Sequence, residues 1–444
     1  MCEKHNNIYY IKELLNIATP IIMGNLGFIL IGVGDVLVAG RHSTQTFAAI
    51  SIAAAIVNCI MTIAIGLTSS ISPLLSNYRG AKKPIKRYFY PSIRFAGFLA
   101  IVTSFIIIAF IPLIPKIGFE SELIKPIQQY MFISALSTFG GSLHHSMKEF
   151  LQAFEIVMFP NLLTIICVFL NLILNIIFVF GWGPIPSMGA AGLAIASLII
   201  RYFMGFSLLF YCKSVMRVDN YHEKGYYMNL IKIGLPISLA ILIEFVAFNS
   251  IAILMGRISG VYAAAQNLLC TLTTASFMIP FAISNAIAVK VGFSNGAKNI
   301  FDLKKYAYLG TLISVGFMAF SAIIVASFPK FIISIFTSDT NLYKIVIPIM
   351  SILALFQIFD GIQVSLSGIC KGIKQTKYVL LASFIAYWGV SIPLGYFLGF
   401  KMKFMLKGFW FGLISASIVL CLIMIFELIK YFRKNYKKSS HSQQ

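Results

Sequence analysis

Apolar stretches long enough to cross a bilayer recur along the whole chain, and this recurrence limits its folding more than any motif does. About 20 apolar residues in helical form span the hydrocarbon layer. Lipid offers the backbone no hydrogen-bond partner, so such stretches fold as helices that satisfy their own amides. Read against charged or Pro/Gly-marked breaks, they predict helices at 12–40, 46–77, 92–115, 122–148, 157–180, 189–213, 228–256, 260–293, 304–328, 341–370, 376–400 and 406–432. Composition agrees. Of 444 residues, 59% are hydrophobic and 11% charged, where a soluble domain carries roughly 45–50% and about 25%. A soluble enzyme is excluded, and an all-α membrane protein with twelve transmembrane helices in the cell membrane is expected.

The net charge of +21 would suggest nucleic acid in a soluble chain. Here the basic residues lie between apolar runs and divide by side, so no nucleic-acid partner is expected. One set of helix ends carries Arg79, Lys82, Lys83, Lys86, Arg87 and Arg94, then Lys213, Arg217, Lys224, Lys290, Lys298, Lys304, Lys305, Lys371, Lys374 and Lys377. The opposite ends carry only Arg41, Lys116, Lys125, Arg257, Lys330, Lys344, Lys401, Lys403 and Lys407. Lys and Arg are retained on the cytoplasmic side, so both termini are predicted to be cytoplasmic. The first apolar run, Ile17 to Gly40, is too long for a signal peptide. Seven scattered cysteines without CxxC or CxxH spacing support neither a disulfide framework nor a zinc site.

The chain repeats itself. Pro20 recurs as Pro236, Gly40-Arg41 as Gly256-Arg257, and Gly80-Ala81-Lys82 as Gly296-Ala297-Lys298, each 216 residues on. Gly189 answers Gly408 at 219. Each half contributes six helices, an even number, so the halves share one orientation. The prediction is two six-helix bundles related by a pseudo-two-fold axis along the membrane normal. They comprise an N-lobe over 1–213, a cytoplasmic linker over 214–229, a C-lobe over 230–432 and a basic tail over 433–444. Two such bundles form a transporter layout, expected to act as a monomer in the lipid bilayer.

Acidic residues are few, and three fall inside predicted spans: Asp35, Glu244 and Asp360. An ionised carboxylate at the bilayer centre costs about 2.5 kcal/mol or more. It persists where it faces a bundle interior, takes a proton or holds a cation. The acids ignore the repeat, since Asp35 answers Ile251 and Glu244 answers Phe28. Near Asp35 the fifth span offers Asn171 and Asn175, four apart and so on one face, and the sixth offers Ser197. Carboxylate, amide oxygens and hydroxyl suit a sodium ion or a hydrogen-bonded proton; glue between helices is the competing reading of the two asparagines. Pro20 removes a backbone hydrogen bond and is read as a hinge. Arg201 is the one basic residue at mid-span, with its role left open. His144-His145 diverge around the helix and read as interface residues.

Over nearly its whole length the chain resembles the multidrug and toxic compound extrusion (MATE) family, in particular its NorM-type branch. The resemblance rests on Ala18-Thr19-Pro20 and Asp35 ahead of Ala39-Gly40, on Ala264-Ala265-Gln266, and on Phe277-Met278-Ile279-Pro280. Asp360-Gly361-Ile362-Gln363-Val364 with Gly368, Lys407-Gly408-Phe409-Trp410, and Glu244 before Phe245 complete it. It implies a C-lobe cation site at Glu244 and Asp360, an N-lobe site at Asp35 with Asn171, and a substrate cavity bordered by Gln266 and Phe356. Asn175 stands where archaeal-type members have an aspartate, and Phe356 where some NorM-type members have a tyrosine.

The function expected is a sodium- or proton-coupled antiporter exporting organic cations, drugs and other toxic compounds, with the coupling ion as its only cofactor. The alternative is a lipid-linked saccharide flippase, which would need several cavity cations where this chain has Arg201 nearly alone. No HExxH, metal-pyrophosphate acid pair or Gly-rich phosphate loop supports an enzyme or an ATP-driven pump. The topology is testable by cysteine labelling. A single cysteine at Asn220 is expected to resist a membrane-impermeant reagent applied to intact cells and to react once the cytoplasmic face is opened; ready labelling from outside reverses the orientation.

Overall fold

The computed structural model describes residues 6–216, 225–337 and 339–441. The centre of the predicted linker, including Asn220, lies outside them. Among the described residues every predicted span is a helical rod, and no β-strand is formed. The rods are α1 (Asn7–His42), α2 (Thr44–Gly80), α3 (Ile85–Lys116), α4 (Ser121–Ala153), α5 (Met158–Phe180) and α6 (Gly189–Val215). The second half supplies α7 (Tyr226–Gly256), α8 (Gly260–Gly296), α9 (Ile300–Ser327), α10 (Thr340–Gly372), α11 (Thr376–Lys401) and α12 (Leu406–Lys434). A short helix, Pro329–Phe336, precedes α10. All rods but α4 are apolar enough to cross a membrane by composition. In α4, Ser137, Thr138, Ser142, His144, Ser146 and Lys148 are polar, and all of them are buried within the protein.

The repeat extends to backbone detail. Ser43 caps α2 by accepting from the Thr46 amide, and Ser259 caps α8 by accepting from the Tyr262 amide. Lys82 and Lys298 both leave their helices at φ 58°, a left-handed conformation uncommon for a residue with a Cβ. Their amides donate to the carbonyls of Arg79 and Asn295, positions that answer each other across the repeat. Glu155 and Lys374 repeat the device at φ 66° and 61°.

Two compact units emerge: Thr19–Ser238, and Met1–Ala18 with Leu239–Gln444. The divisions fall inside α1, just before Pro20, and inside α7, just after Pro236. The first turns of α1 therefore pack with the second-half helices. Tyr10 and Leu14 are fully buried there, Tyr10 donates to Asp302 at 2.7 Å, and Lys290 pairs with Glu13. The first turns of α7 belong to the other unit. Tyr226 hydrogen-bonds Ser92 at 2.8 Å, and Ser238 donates to the Ile63 carbonyl at 2.9 Å. Tyr10 and Tyr226 are repeat partners, as are Leu14 and Leu230, and all four are buried. Each opening segment is thus anchored in the same way.

Small residues let helices meet where lipid gives no hydrophobic push between them. A Cβ on Gly368 of α10 would lie 2.4 Å from the Ser284 carbonyl oxygen of α8, and one on Gly372 would lie 2.8 Å from Val291. This contact turns Asp360, two turns earlier on α10, into the interior. Gly368→Val is expected to destabilise the protein by about 1–3 kcal/mol, read as a lower melting temperature in detergent. Gly316→Ala, on α9 with open space around it, is expected to hold or raise that temperature.

Candidate functional site

In the Thr19–Ser238 unit the site begins with how α1 lies on α5. Gly24 and Gly27 face Asn161 and Thr164; a Cβ on Gly24 would collide with the Asn161 amide. Asp35 follows on the same face, eight residues beyond Gly27. On α5 the buried stripe runs Asn161, Thr164, Cys167, Asn171, Asn175 and Val179, the i, i+3/i+4 spacing of a single helix face. Asn175 therefore meets Asp35. Its Nδ2 donates to Asp35 Oδ1 at 2.7 Å and to Asn171 Oδ1 at 3.1 Å. The Asn175 oxygen has no partner among the described residues. Turned toward the carboxylate, it would complete an all-oxygen cation set, which is the chemistry that sodium or calcium takes. Among the described residues no cluster of three or more His, Cys, Asp or Glu occurs.

Asp35, Asn171 and Ser197 line a cavity of about 440 Å³, together with Arg201, His144 and His145. Arg201 does not pair with Asp35. Its guanidinium donates to Ser137 at 2.8 Å. His145 Nδ1 lies 2.9 Å from the Thr68 hydroxyl, which itself donates to the Ala64 carbonyl.

The second site lies wholly in the other unit. Glu244 on α7 accepts a hydrogen bond from the Tyr387 hydroxyl at 2.9 Å, and Tyr387 accepts one from Gln363 Nε2 at 3.2 Å. Gln363 sits three residues beyond Asp360 on α10 and so shares its face. Asp360 is 1% exposed, and neither of its oxygens has a hydrogen-bond partner among the described residues. Phe356, one turn before Asp360, packs edge-on against Trp410 with ring centroids 5.6 Å apart, and against Phe248 at 6.2 Å. Trp410 Nε1 donates to Gln266 Oε1 at 3.1 Å. Gln266 and Phe356 are both fully buried, so each supports the wall around the acids from behind.

Tyr387 escaped the sequence reading. It lies in a stretch of α11, Ile385–Ser391, wound as a π-helix, where i→i+5 bonding turns each residue less than an α-helix would. A regular helical wheel assigns Tyr387 the wrong face. The Tyr387 hydroxyl reaches Glu244 from α11, while Phe356 on α10 has none to offer.

A model of the MatE family matches residues 20–177 and 236–397, one segment in each half of the repeat. A probable multidrug resistance protein NorM of Bacillus licheniformis is 26% identical over 418 residues, covering 91% of this chain and 92% of its own. Its counterpart in Bacillus subtilis is 25% identical, covering 99% of this chain and 100% of its own. Among solved structures, a variant of the Vibrio cholerae MATE transporter VcmN superposes with a TM-score of 0.88 at 18% identity, over 96% of this chain and 98% of that one. With both halves of the repeat matched, the chain belongs to the MatE family, on its NorM-type branch.

Proposed function

We propose that this protein is a multidrug exporter of the cell membrane, driven by the exchange of organic cations and related toxic compounds for inward-moving sodium ions or protons. The relatives named as multidrug resistance proteins support the export of drugs. The observation that carries the coupling is Asp360: a fully buried carboxylate without a hydrogen bond, on one helix face with the Gln363–Tyr387–Glu244 chain. A lone buried charge is unfavourable unless it is paired or neutralised. A proton or a sodium ion removes that cost. Glu244 and Asp360 then receive the coupling ion, Tyr387 orients Glu244, and Asp35 with Asn171, Asn175 and Ser197 forms a second polar station.

A ligand shifts a conformational equilibrium only by its differential affinity for the two states, and about 5.5 kcal/mol inverts a 1:99 population. Ion entry at the acids, with substrate leaving on the opposite phase, supplies that difference in alternating access. Pro20, where α1 leaves one compact unit for the other, is the bending point.

The test is efflux from proteoliposomes with sodium and proton gradients imposed separately; movement of a cationic dye under neither gradient sinks the antiport reading. Glu244→Gln and Asp360→Asn are each expected to abolish gradient-driven efflux while leaving the protein inserted and monodisperse. Tyr387→Phe keeps the ring packing and removes the hydroxyl. It is expected to raise the ion concentration for half-maximal efflux roughly tenfold, since a hydrogen bond to a charged group contributes about 1.5–3 kcal/mol. Asp35→Asn is expected to bind and export substrate poorly; normal rates under both gradients would make Asp35 a structural acid.

A further inference from the structure

A cavity of about 270 Å³ lies at the Lys-rich end of the second half, where the turn from α10 to α11 meets the last turns of α12. Pockets for drug-sized guests run from about 300 Å³ upward, so this space suits a polar headgroup better. Gln375 and Tyr378 line it from the start of α11, and Glu427, Lys430, Tyr431 and Lys434 line it from α12. The four α12 residues follow i, i+3, i+4 and i+7 spacing, which is one helix face. Gln375 precedes α11 without capping it through its side chain. Tyr431 is fixed by donating to Asn295 at 2.6 Å.

The repeat shows that the scaffold does not require this opening. Gly189 and Gly408 are 219 residues apart, and at that offset Tyr378 answers Phe159, Lys430 answers Tyr211 and Lys434 answers Val215. In the first half Phe159 and Tyr211 stack, with ring centroids 4.0 Å apart and planes within 14° of parallel. The second half has a polar cavity where the first has a ring pair.

Charge in the cavity favours an anion. Two lysines stand against one glutamate in the lining, and Lys430 holds that glutamate, Glu427, at 3.2 Å. One positive charge is left over. Lys377 adds another beside it, its Nζ 5.2 Å from the centroid of the Tyr378 ring. From the lysines, apolar side chains continue along both helices. Phe426 and Leu422, one and two turns before Lys430 on α12, and Leu381 and Phe384 on α11 are all more than half exposed.

We propose that this cavity binds the phosphate of an anionic phospholipid. Lys434 and Lys430 take the phosphodiester, Tyr378 and Gln375 donate to its oxygens, and an acyl chain lies along Phe426 and Leu422. Basic pockets between transmembrane helices at a membrane surface recognise such headgroups, and hydrogen bonds from ammonium groups to phosphate are among the strong ones. A zwitterionic lipid brings its own ammonium up to the lysines and gains less. Free phosphate gains nothing from the apolar stripe. The site does not depend on the export reading above.

The test is native mass spectrometry of the purified full-length protein in detergent. It is titrated with phosphatidylglycerol, with phosphatidylcholine of the same acyl chains, and with phosphatidylglycerol in the presence of inorganic phosphate. The first phosphatidylglycerol adduct is expected at a concentration at least about tenfold lower than the first phosphatidylcholine adduct, the effect of one charge-assisted hydrogen bond. Lys434→Gln is expected to lower that preference about fivefold, the effect of one basic residue near a charged surface. Lys344→Gln, at the opposite end of α10, is expected to leave it unchanged. Tyr378→Phe combined with Lys430→Tyr copies the first-half ring pair into the cavity and is expected to abolish the preference with a wild-type size-exclusion profile. Equal binding of the two lipids, or a preference unchanged in Lys434→Gln, overturns the site. An equal loss in Lys344→Gln and Lys434→Gln overturns it too, because the attraction is then diffuse. Displacement of phosphatidylglycerol by millimolar inorganic phosphate overturns the lipid assignment and gives the cavity to free phosphate.

Discussion

Hydrocarbon gives an ionised side chain no solvation, and the polar architecture of this protein follows from that one constraint. A charge at the bilayer centre costs about 2.5 kcal/mol or more, so each buried ionisable group either finds a partner inside its unit or marks a place where one must arrive. Lys290 and Glu13 take the first course by pairing. Asp35 takes it through Asn175, and Glu244 through Tyr387. Asp360 takes the second. Its oxygens stand without hydrogen bonds among the described residues, and Phe356, one turn away on the same helix, packs with Phe248 and Trp410.

Helix contacts decide which groups can meet. With lipid as apolar as leucine, rods associate by close packing of small residues. Gly24 and Gly27 bring α1 onto α5 and so carry Asp35 to Asn175; Gly368 and Gly372 seat α10 on α8 and turn Asp360 inward. Site and packing are therefore one construction. A bulky residue on either glycine face displaces the acid along with the helix, although neither glycine touches an ion or a substrate.

Much of this was legible in the sequence, because the signals involved are local. Hydropathy gave the twelve spans, with α4 concealing its polar residues by burial. The 216-residue offset predicted a duplicated fold, and the backbone turns at Lys82 and Lys298 repeat it to the same φ. Asn171 and Asn175 could be placed together because they are four apart on a regular helix. Tyr387 could not, because a π-helical stretch shifts the phase on which such spacing depends. Nor could the assignment of the first turns of α1 to the second-half unit be read, since Tyr10 and Leu14 look like any interfacial tyrosine and leucine until Asp302, Tyr306 and Gly310 are seen around them. The mid-span position of Arg201 was plain; which cavity it served was not, because one helix can turn a residue to lipid, to a neighbour or to open space.

The duplicated scaffold carries two unlike interiors. The repeat preserves caps, left-handed turns and the anchoring tyrosines, all of which serve folding. It does not preserve the acids: Asp35 answers Ile251 and Glu244 answers Phe28. In one unit the carboxylate is already hydrogen-bonded, and the space beside it, about 440 Å³, is lined by Phe28, Phe47, Tyr130 and Arg201. In the other the carboxylate of Asp360 is buried and its oxygens have no hydrogen-bond partner among the described residues. A small cation gains most where it relieves an unsatisfied charge. The two copies of one bundle thus present unlike polar interiors. Only α1 and α7, among the described helices, are divided between the two units, each beside a repeat-related proline, so these two helices are where the duplicated bundles share backbone.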